Sequence, residues 1–264
     1  MSKSSIYTTF DGNNAAGLGS LLQLQQHLYA YAKLNNLEMH FPGFIRLSHY
    51  QPYNISQQEF CDKLNSFYNI PNESDVNPKF VDECFLVRDW GEKFNSEKRP
   101  YIKDLANHIK YSGISHFKKD KVNVCLHVRV DNNQDNGLVI PDVEIYYKND
   151  FKDLYFRNVI NNLKKINPNL NILLFSQGDK ENFSHFEEDF GVKLLLNVDI
   201  VESLYHLIFA DILVTSNSSF SYCSHLFDQN KVVISRDNFF HSWYNTSVLT
   251  NKEGNFLRDE EIRF

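Results

Sequence analysis

The chain has 264 residues, a formal net charge of −6, and is 42% hydrophobic and 23% charged. That is ample apolar content for one large domain or two compact lobes. The negative balance, with no lysine–arginine stripe to offset it, argues against a nucleic-acid partner. Four scattered cysteines (Cys61, Cys84, Cys125, Cys223) form no Cys-x-x-Cys pair, which excludes a disulfide framework or structural zinc and suits a reducing compartment. The opening MSKSSIYTTF lacks the charged-then-apolar pattern of a secretory signal. The most apolar region, Leu194 to Val214, is broken by Asp199, Glu202 and Asp211, so no transmembrane segment is expected. The expectation is a soluble cytoplasmic protein.

In chain order, Ser5 to Phe10 reads as a short strand, and Asp11 to Gly19 as a glycine-bearing turn. Apolar residues at Leu21, Leu24, Leu28, Tyr31, Ala32 and Leu34 predict a helix over Ser20 to Asn36, with Ser20 as N-cap. Leu37 to Phe41 is a second strand, stopped by Pro42-Gly43. Helical spacing recurs over Ser56 to Tyr68 and Tyr101 to Tyr111, around a polar loop at Asn69 to Asn77.

From Lys121 the alternation sharpens. Strands are predicted at Val122 to Val130, Asn171 to Ser176, Lys193 to Leu196 and Ile212 to Thr215, with a final one at Lys231 to Ser235. Helices fall between them at Asp150 to Ile166, Lys180 to Phe190, Ile200 to Ala210 and Ser219 to Asp228. Strands alternating with helices imply parallel sheets. The expected fold is therefore α/β, with two Rossmann-like lobes, 1–118 and 119–264, and a cleft between them.

Four stretches land on strand ends or turns. Gly17-Leu18-Gly19-Ser20 would let backbone approach a ligand, or is an ordinary turn. His127-Val128-Arg129 puts two polar residues on one face of a strand end. The arginine there either grips a phosphate or pairs with a carboxylate. Asp131 and Asp135 follow on the loop as candidate general bases. Phe175-Ser176-Gln177-Gly178-Asp179 is a strand end entering a helix, and Glu202 opens a helix, where capping is its ordinary role. The fourth stretch, Asp211 to Leu226, runs from an apolar strand through Thr215-Ser216-Asn217-Ser218-Ser219 into a helix. It reads as an anion site built from helix N–H groups and hydroxyls, or as a serine cap.

In order and spacing these stretches resemble the fucosyltransferase superfamily with the GT-B fold, nearest the bacterial α-1,2 enzymes. The resemblance rests on Ala16-Gly17-Leu18-Gly19-Ser20-Leu21, His127-Val128-Arg129-Val130-Asp131-Asn132, Phe175-Ser176-Gln177-Gly178-Asp179 and Ile212 to Cys223, within which Asn217-Ser218-Ser219-Phe220-Ser221 is the most specific match. It implies an inverting, metal-independent glycosyltransferase, without cofactor, that moves a sugar from a nucleotide-sugar donor to a glycan hydroxyl. Arg129 would hold the β-phosphate, with Ser218, Ser219 and Ser221 completing the pyrophosphate site. Donor contacts would also come from Gly17, Gly19, Ser20, His127, Ser176, Gln177, Glu202, Asn217 and Phe220. Asp131 or Asp135 would be the base, with Asp75 in reserve. Viral and microbial relatives of this kind work on glycans in the cytoplasm.

Val130 stands where the family has a second arginine, and Asp131-Asn132 where it has Gly-Asp. UDP-xylose is therefore carried as a donor beside GDP-fucose, and a non-catalytic nucleotide-sugar or glycan binder as the alternative class. No Asp-x-Asp occurs in the chain, so a divalent-metal clamp on the diphosphate is not expected. A dehydrogenase is disfavoured, because the turn lacks Gly-x-Gly-x-x-Gly and no acidic residue closes the second strand.

Overall fold

The computed structural model describes residues 5–7, 17–41, 43–44, 47, 55–69, 97–129, 149–216, 218–236 and 247–257. The first unit is β1 (Ser5–Tyr7), α1 (Leu18–Leu34) and β2 (Glu38–His40), with β1 and β2 parallel. The predicted strand, helix, strand order thus holds, and residues 8–16, which carry most of the expected turn, lie outside the described residues. Helix α1 begins at Leu18, two residues before the expected start, and its N-cap is Gly17 rather than Ser20. It ends where Leu37 N–H bonds the Ala32 carbonyl at 2.8 Å, with Asn36 in the left-handed region (φ 52°).

Helix α2 (Gln57–Tyr68) is capped by Ser56, whose hydroxyl accepts from Glu59 N–H at 3.1 Å, and it stops at left-handed Asn69. The helix expected over 101–111 is shorter. Helix α3 (Arg99–Leu105) starts around Pro100 and tightens into a 3-10 turn at Ala106–His108. The chain then leaves helical geometry at Ile109, because Lys110 N–H bonds the Phe67 carbonyl of α2 at 2.8 Å. That tertiary bond overrides the local periodicity.

The remainder is an α/β layer: β3 (Val122–His127), α4 (Asn149–Ile166), β4 (Leu170–Ser176), α5 (Ser184–Phe190), β5 (Lys193–Leu196), α6 (Ile200–Phe209), β6 (Ile212–Val214), α7 (Ser219–Leu226), β7 (Val232–Arg236) and β8 (Ser247–Thr250). Strand β8 lies beyond the one expected to be last. Only its pairing with β7, from Val233↔Ser247 to Arg236↔Thr250, makes Ser-Val-Leu-Thr a strand. The six strands run in the order β5-β4-β3-β6-β7-β8, and every pair is parallel. This bears out the α/β class with a parallel sheet.

Strand periodicity sorts the core. Val124, Leu126, Ile172, Leu174, Ile212, Val214, Val232 and Ile234 pack against Tyr155, Phe156, Val159, Ile160 and Leu163 of α4. The alternate residues, Cys125, Leu173, Phe175, Leu213 and Val233, pack with Leu207 and Ala210 of the α6 side. Both faces are covered, which is why the strands read as continuous apolar runs.

A third apolar cluster runs across the expected 118–119 boundary. It joins Leu18, Leu21 and Leu22 of α1 and Phe60, Leu64 and Phe67 of α2 to Ile200, Leu204 and Ile208 of α6 and to Cys223 and Phe227. Ion pairs span the same divide. Arg99 grips Asp228 with two bonds of 2.9 and 2.6 Å, and Lys63 meets Asp199 at 2.7 Å.

The tightest constraint between the halves is at Gly19. A Cβ built there would lie 2.4 Å from Phe220 N and 2.5 Å from Ser219 C, so α1 and α7 meet backbone to backbone. Gln23 Nε2 donates to Ser219 O at 3.2 Å, and Gln26 Nε2 to Cys223 O at 2.9 Å. Gly17 has nothing within 4 Å of such a Cβ and sits at φ −68°. Gly19→Ala is therefore expected to destabilise by about 1–3 kcal/mol through overpacking, and Gly17→Ala to change little. Paired thermal melts check this: Gly19→Ala should fall by several degrees and Gly17→Ala by no more than one or two.

Candidate functional site

In a doubly wound parallel sheet, the crevice lies outside the carboxyl ends of the strands, where the strand order reverses. Here β4 and β5 build out from one side of β3, and the chain then crosses to place β6, β7 and β8 on the other. The reversal is between β3 and β6. At the end of β3 lie His127, Val128 and Arg129, and after β6 come Thr215, Ser216, Ser218 and Ser219, residues of two of the four stretches picked out above.

The β3 end is held by β4. Val128 N–H donates to Phe175 O at 3.0 Å, and Ser176 Oγ donates to Val128 O at 2.7 Å, which carries half-buried Arg129 past the strand. Ser176 thus fixes the backbone that presents Arg129. The β4 turn is held by Asn197, itself left-handed (φ 54°). Asn197 accepts from Gly178 N–H at 2.9 Å, donates its Nδ2 to Gly178 O at 2.9 Å, and bonds Ser176 O through its backbone N–H at 3.0 Å. Gly178 sits at φ +116°, which a side chain would strain. Gln177 is half-buried on this pinned turn.

The β6 end is held by β7. Thr215 bonds Ile234 O through N–H at 2.9 Å and Oγ1 at 3.2 Å. Ser218 is the N-cap of α7, accepting from Phe220 N–H at 3.2 Å. Fully buried Ser221 donates toward Ser218 O at 3.2 Å and Ser216 O at 3.3 Å. The hydroxyls of Ser218 and Ser221, expected at the pyrophosphate, thus build the turn. What the turn presents is the amino end of α7, including Ser219 in its first turn.

Ser216 links the two strand ends, with Oγ 3.1 Å from His127 Nδ1. The imidazole leans on the Phe220 ring, with centroids 5.3 Å apart. Burial, together with the nearby Arg129 charge, lowers the His127 pKa from 6.5 to about 3. At neutral pH it is an uncharged hydrogen-bonding group.

The structure thus brings together Ser176, His127, Arg129, Ser218, Ser219, Phe220 and Ser221, and through the α1–α7 contact Gly19; Gly17 and Ser20 sit beside Gly19 at the start of α1, with no contact to the strand ends among those described. Gly19 differs in role from the expectation: the backbone it admits is that of α7. Glu202 is held elsewhere. Its Oε1 lies 3.0 Å from His116 Nε2, and His116 Nδ1 lies 2.8 Å from Lys193 Nζ. Its backbone carbonyl accepts from His206 Nδ1 at 2.8 Å, and His206 Nε2 accepts from His116 N–H at 2.9 Å. Asp75, Asp131, Asp135 and Asn217 lie outside the described residues.

Sequence reasoning did not assign roles to Ser216, Asn197, Gln23 or Gln26. The glutamines had a signal, since i and i+3 share one helix face; the other two are recognisable only once the strands are paired. Among the described residues no group of three or more His, Cys, Asp or Glu is arranged to hold a metal ion. No described helix is long and apolar enough to cross a membrane.

No protein-family model matches the chain, and no curated protein matches it. Solved structures similar to it include NodZ α-1,6-fucosyltransferase soaked with GDP-fucose, at 13% identity and a TM-score of 0.40, covering 90% of this chain and 96% of that one. POFUT1 in complex with GDP is similar at 12% identity and 0.42, covering 86% and 95%. The E. coli heptosyltransferase WaaC with ADP-2-deoxy-2-fluoro heptose is similar at 11% and 0.44, covering 98% and 97%.

The buried imidazoles make stability pH-dependent. Burial lowers His206 to about 4 and His225 to about 3, with His127 as above, all from 6.5. Between pH 6.5 and 4 the unfolded chain binds protons that the folded chain does not, so stability falls as pH falls. For His206, protonation would also set a second donor against His116 N–H. Each fully buried histidine contributes up to about 1.4 kcal/mol per pH unit in that window. Urea unfolding midpoints should be level above pH 7 and drop clearly by pH 5.5.

Proposed function

We propose that this chain is a glycosyltransferase that holds the diphosphate of a nucleotide sugar at the β3/β6 reversal and transfers the sugar to a glycan hydroxyl. One observation carries the reading: Arg129 follows β3 and the amino end of α7 follows β6, the two strands that flank the reversal of a doubly wound parallel sheet, and the Ser216–His127 bond ties those strand ends together. This is the place and chemistry for a phosphate group. The order of motifs in the sequence points from a phosphate site to a sugar nucleotide.

As the sugar–oxygen bond breaks, negative charge builds on the departing diphosphate. Arg129 and the N–H groups of the α7 first turn stabilise it, held in place beforehand by Ser176, Ser218 and Ser221. Neutral His127 adds a hydrogen bond without competing for protons at physiological pH. With no Asp-x-Asp in the chain, the guanidinium and helix terminus take the part of a divalent metal. An inverting displacement needs a base opposite the leaving group, for which Asp131 or Asp135 is proposed, with Asp75 in reserve. GDP-fucose and UDP-xylose are the two donors to test, with a cytoplasmic glycan as acceptor.

The test is release of nucleoside diphosphate from each donor, without acceptor and with EDTA. Slow hydrolysis of one donor supports a metal-independent transferase. Binding of a donor without hydrolysis would make the chain a binder, and no binding of either would sink the reading. Arg129→Gln should lower the hydrolysis rate by about 10²-fold, the typical loss for one donor to a developing oxyanion. Ser176→Ala should lower it less, since it loosens the backbone before Arg129 and keeps the charge.

A further inference from the structure

We propose that Gln177 binds the ribose hydroxyls of the donor and so makes the site selective for ribonucleotides. The inference rests on the nucleotide-sugar reading above and adds to it the part of the donor beyond the diphosphate.

Placement comes from the ladder. His127 pairs with Phe175, and the pairing continues past them, since Val128 N–H bonds Phe175 O and Ser176 Oγ bonds Val128 O. Carried two residues on, it sets Arg129 beside Gln177, one strand spacing or about 5 Å apart between backbones. On its other side Gln177 is bracketed by Asn197, whose N–H bonds Ser176 O and whose Oδ1 accepts from Gly178 N–H. That is the bonding of a parallel bridge, with a side-chain carbonyl standing in for the backbone one. The alternation of β4 therefore extends to Gln177.

Alternation then gives the face. Leu126, Val128 and Leu174 pack on the α4 side of the sheet. Cys125 and Phe175 pack on the α6 side, where His127 meets Phe220 of α7. Arg129 and Gln177 continue the second set, so both lie on the face that carries α7. Across the crevice the order is Gln177, Arg129 and the amino end of α7, after β4, β3 and β6 in turn.

A diphosphate held between Arg129 and α7 leaves the β4 side to one of the two groups it joins. In sheets with this strand order, a polar residue after the second strand takes the ribose hydroxyls of a bound nucleotide. Strand β4 is that second strand, beside central β3, and Gln177 follows it.

The chemistry fits a diol next to a phosphate. Ribose hydroxyls offer donors and acceptors together, and a carboxamide has both. A carboxylate this close to Arg129 would pair with the guanidinium and draw it from the phosphate, whereas an amide carries no charge. The bonds that hold the turn use the Ser176 hydroxyl and the Asn197 amide, not the half-buried Gln177 amide. Gln177 is thus presented by a backbone pinned on both sides.

The experiment titrates wild type, Gln177→Leu and Gln177→Glu calorimetrically with UDP and GDP and with their dideoxy counterparts, beside thermal melts. Wild type should bind the ribonucleotide more tightly than its dideoxy form, by roughly fivefold or more. Gln177→Leu should lose that preference while its affinity for the dideoxy form changes little. Gln177→Glu should keep the preference, since a carboxylate still accepts from hydroxyls, but bind every diphosphate more weakly by competing for Arg129. Equal binding of ribose and dideoxy forms by wild type would overturn the proposal, whatever the variants do. So would a Gln177→Leu loss equal for both forms, with or without a lowered melting temperature. A loss that follows the base and not the ribose would make Gln177 a base contact and overturn it too. Wild type binding neither UDP nor GDP would overturn the nucleotide-sugar reading itself.

Discussion

A side chain at position 19 has nowhere to go. With α1 and α7 in backbone contact there, the direction of α7 relative to the sheet is set by a helix from the other end of the chain. Gln23 and Gln26 add two buried hydrogen bonds to α7 carbonyls along the same seam. The amino end of α7 is the core of the candidate site, so the first part of the chain aims it without supplying its cation. The apolar cluster shared by α1, α2, α6, Cys223 and Phe227 belongs to the same constraint, since it packs the side of α7 that faces those helices.

The polar groups at the carboxyl edge fall into two kinds. Ser176, Asn197, Thr215, Ser218 and Ser221 satisfy backbone groups of the turns, so their hydrogen bonds are settled before any ligand arrives. In the proposed transfer, Arg129, the α7 amino end and the neutral His127 would meet the demand for charge stabilisation. Preorganisation of this sort is what gives a fixed donor its effect on a transition state, because little reorganisation remains to be made. The hydroxyl-rich sequence is accordingly more structural than its composition suggests.

The strands of the sheet were legible because both faces are covered: Ile212–Val214 and Ile172–Phe175 read as unbroken apolar runs. The α7 start was legible from a serine before an apolar-spaced segment. Strand β8 was not, since four residues with Val248 and Thr250 as their buried members acquire strand character only from β7. Gly19 looks the same in sequence whether it admits a ligand or another helix, and its partner lies some two hundred residues away. Glu202 is similarly ambiguous at the start of a helix, and its actual partner, His116, comes from the connection before β3. What sequence cannot supply in each case is the long-range neighbour.

The reversal of strand order also bears on how the chain comes to be folded. Strand β3 finds β4 across one helical crossover, but its other edge waits for β6, with Val124 paired to Ile212. At ordinary rates of synthesis those 88 residues take roughly 4–18 s to emerge. Throughout that interval one side of Val124–Leu126, the most apolar part of the strand, carries unpaired N–H and C=O groups. Such an edge is a template for pairing with another chain. The feature that creates the crevice therefore exposes the nascent protein to aggregation until β6 arrives.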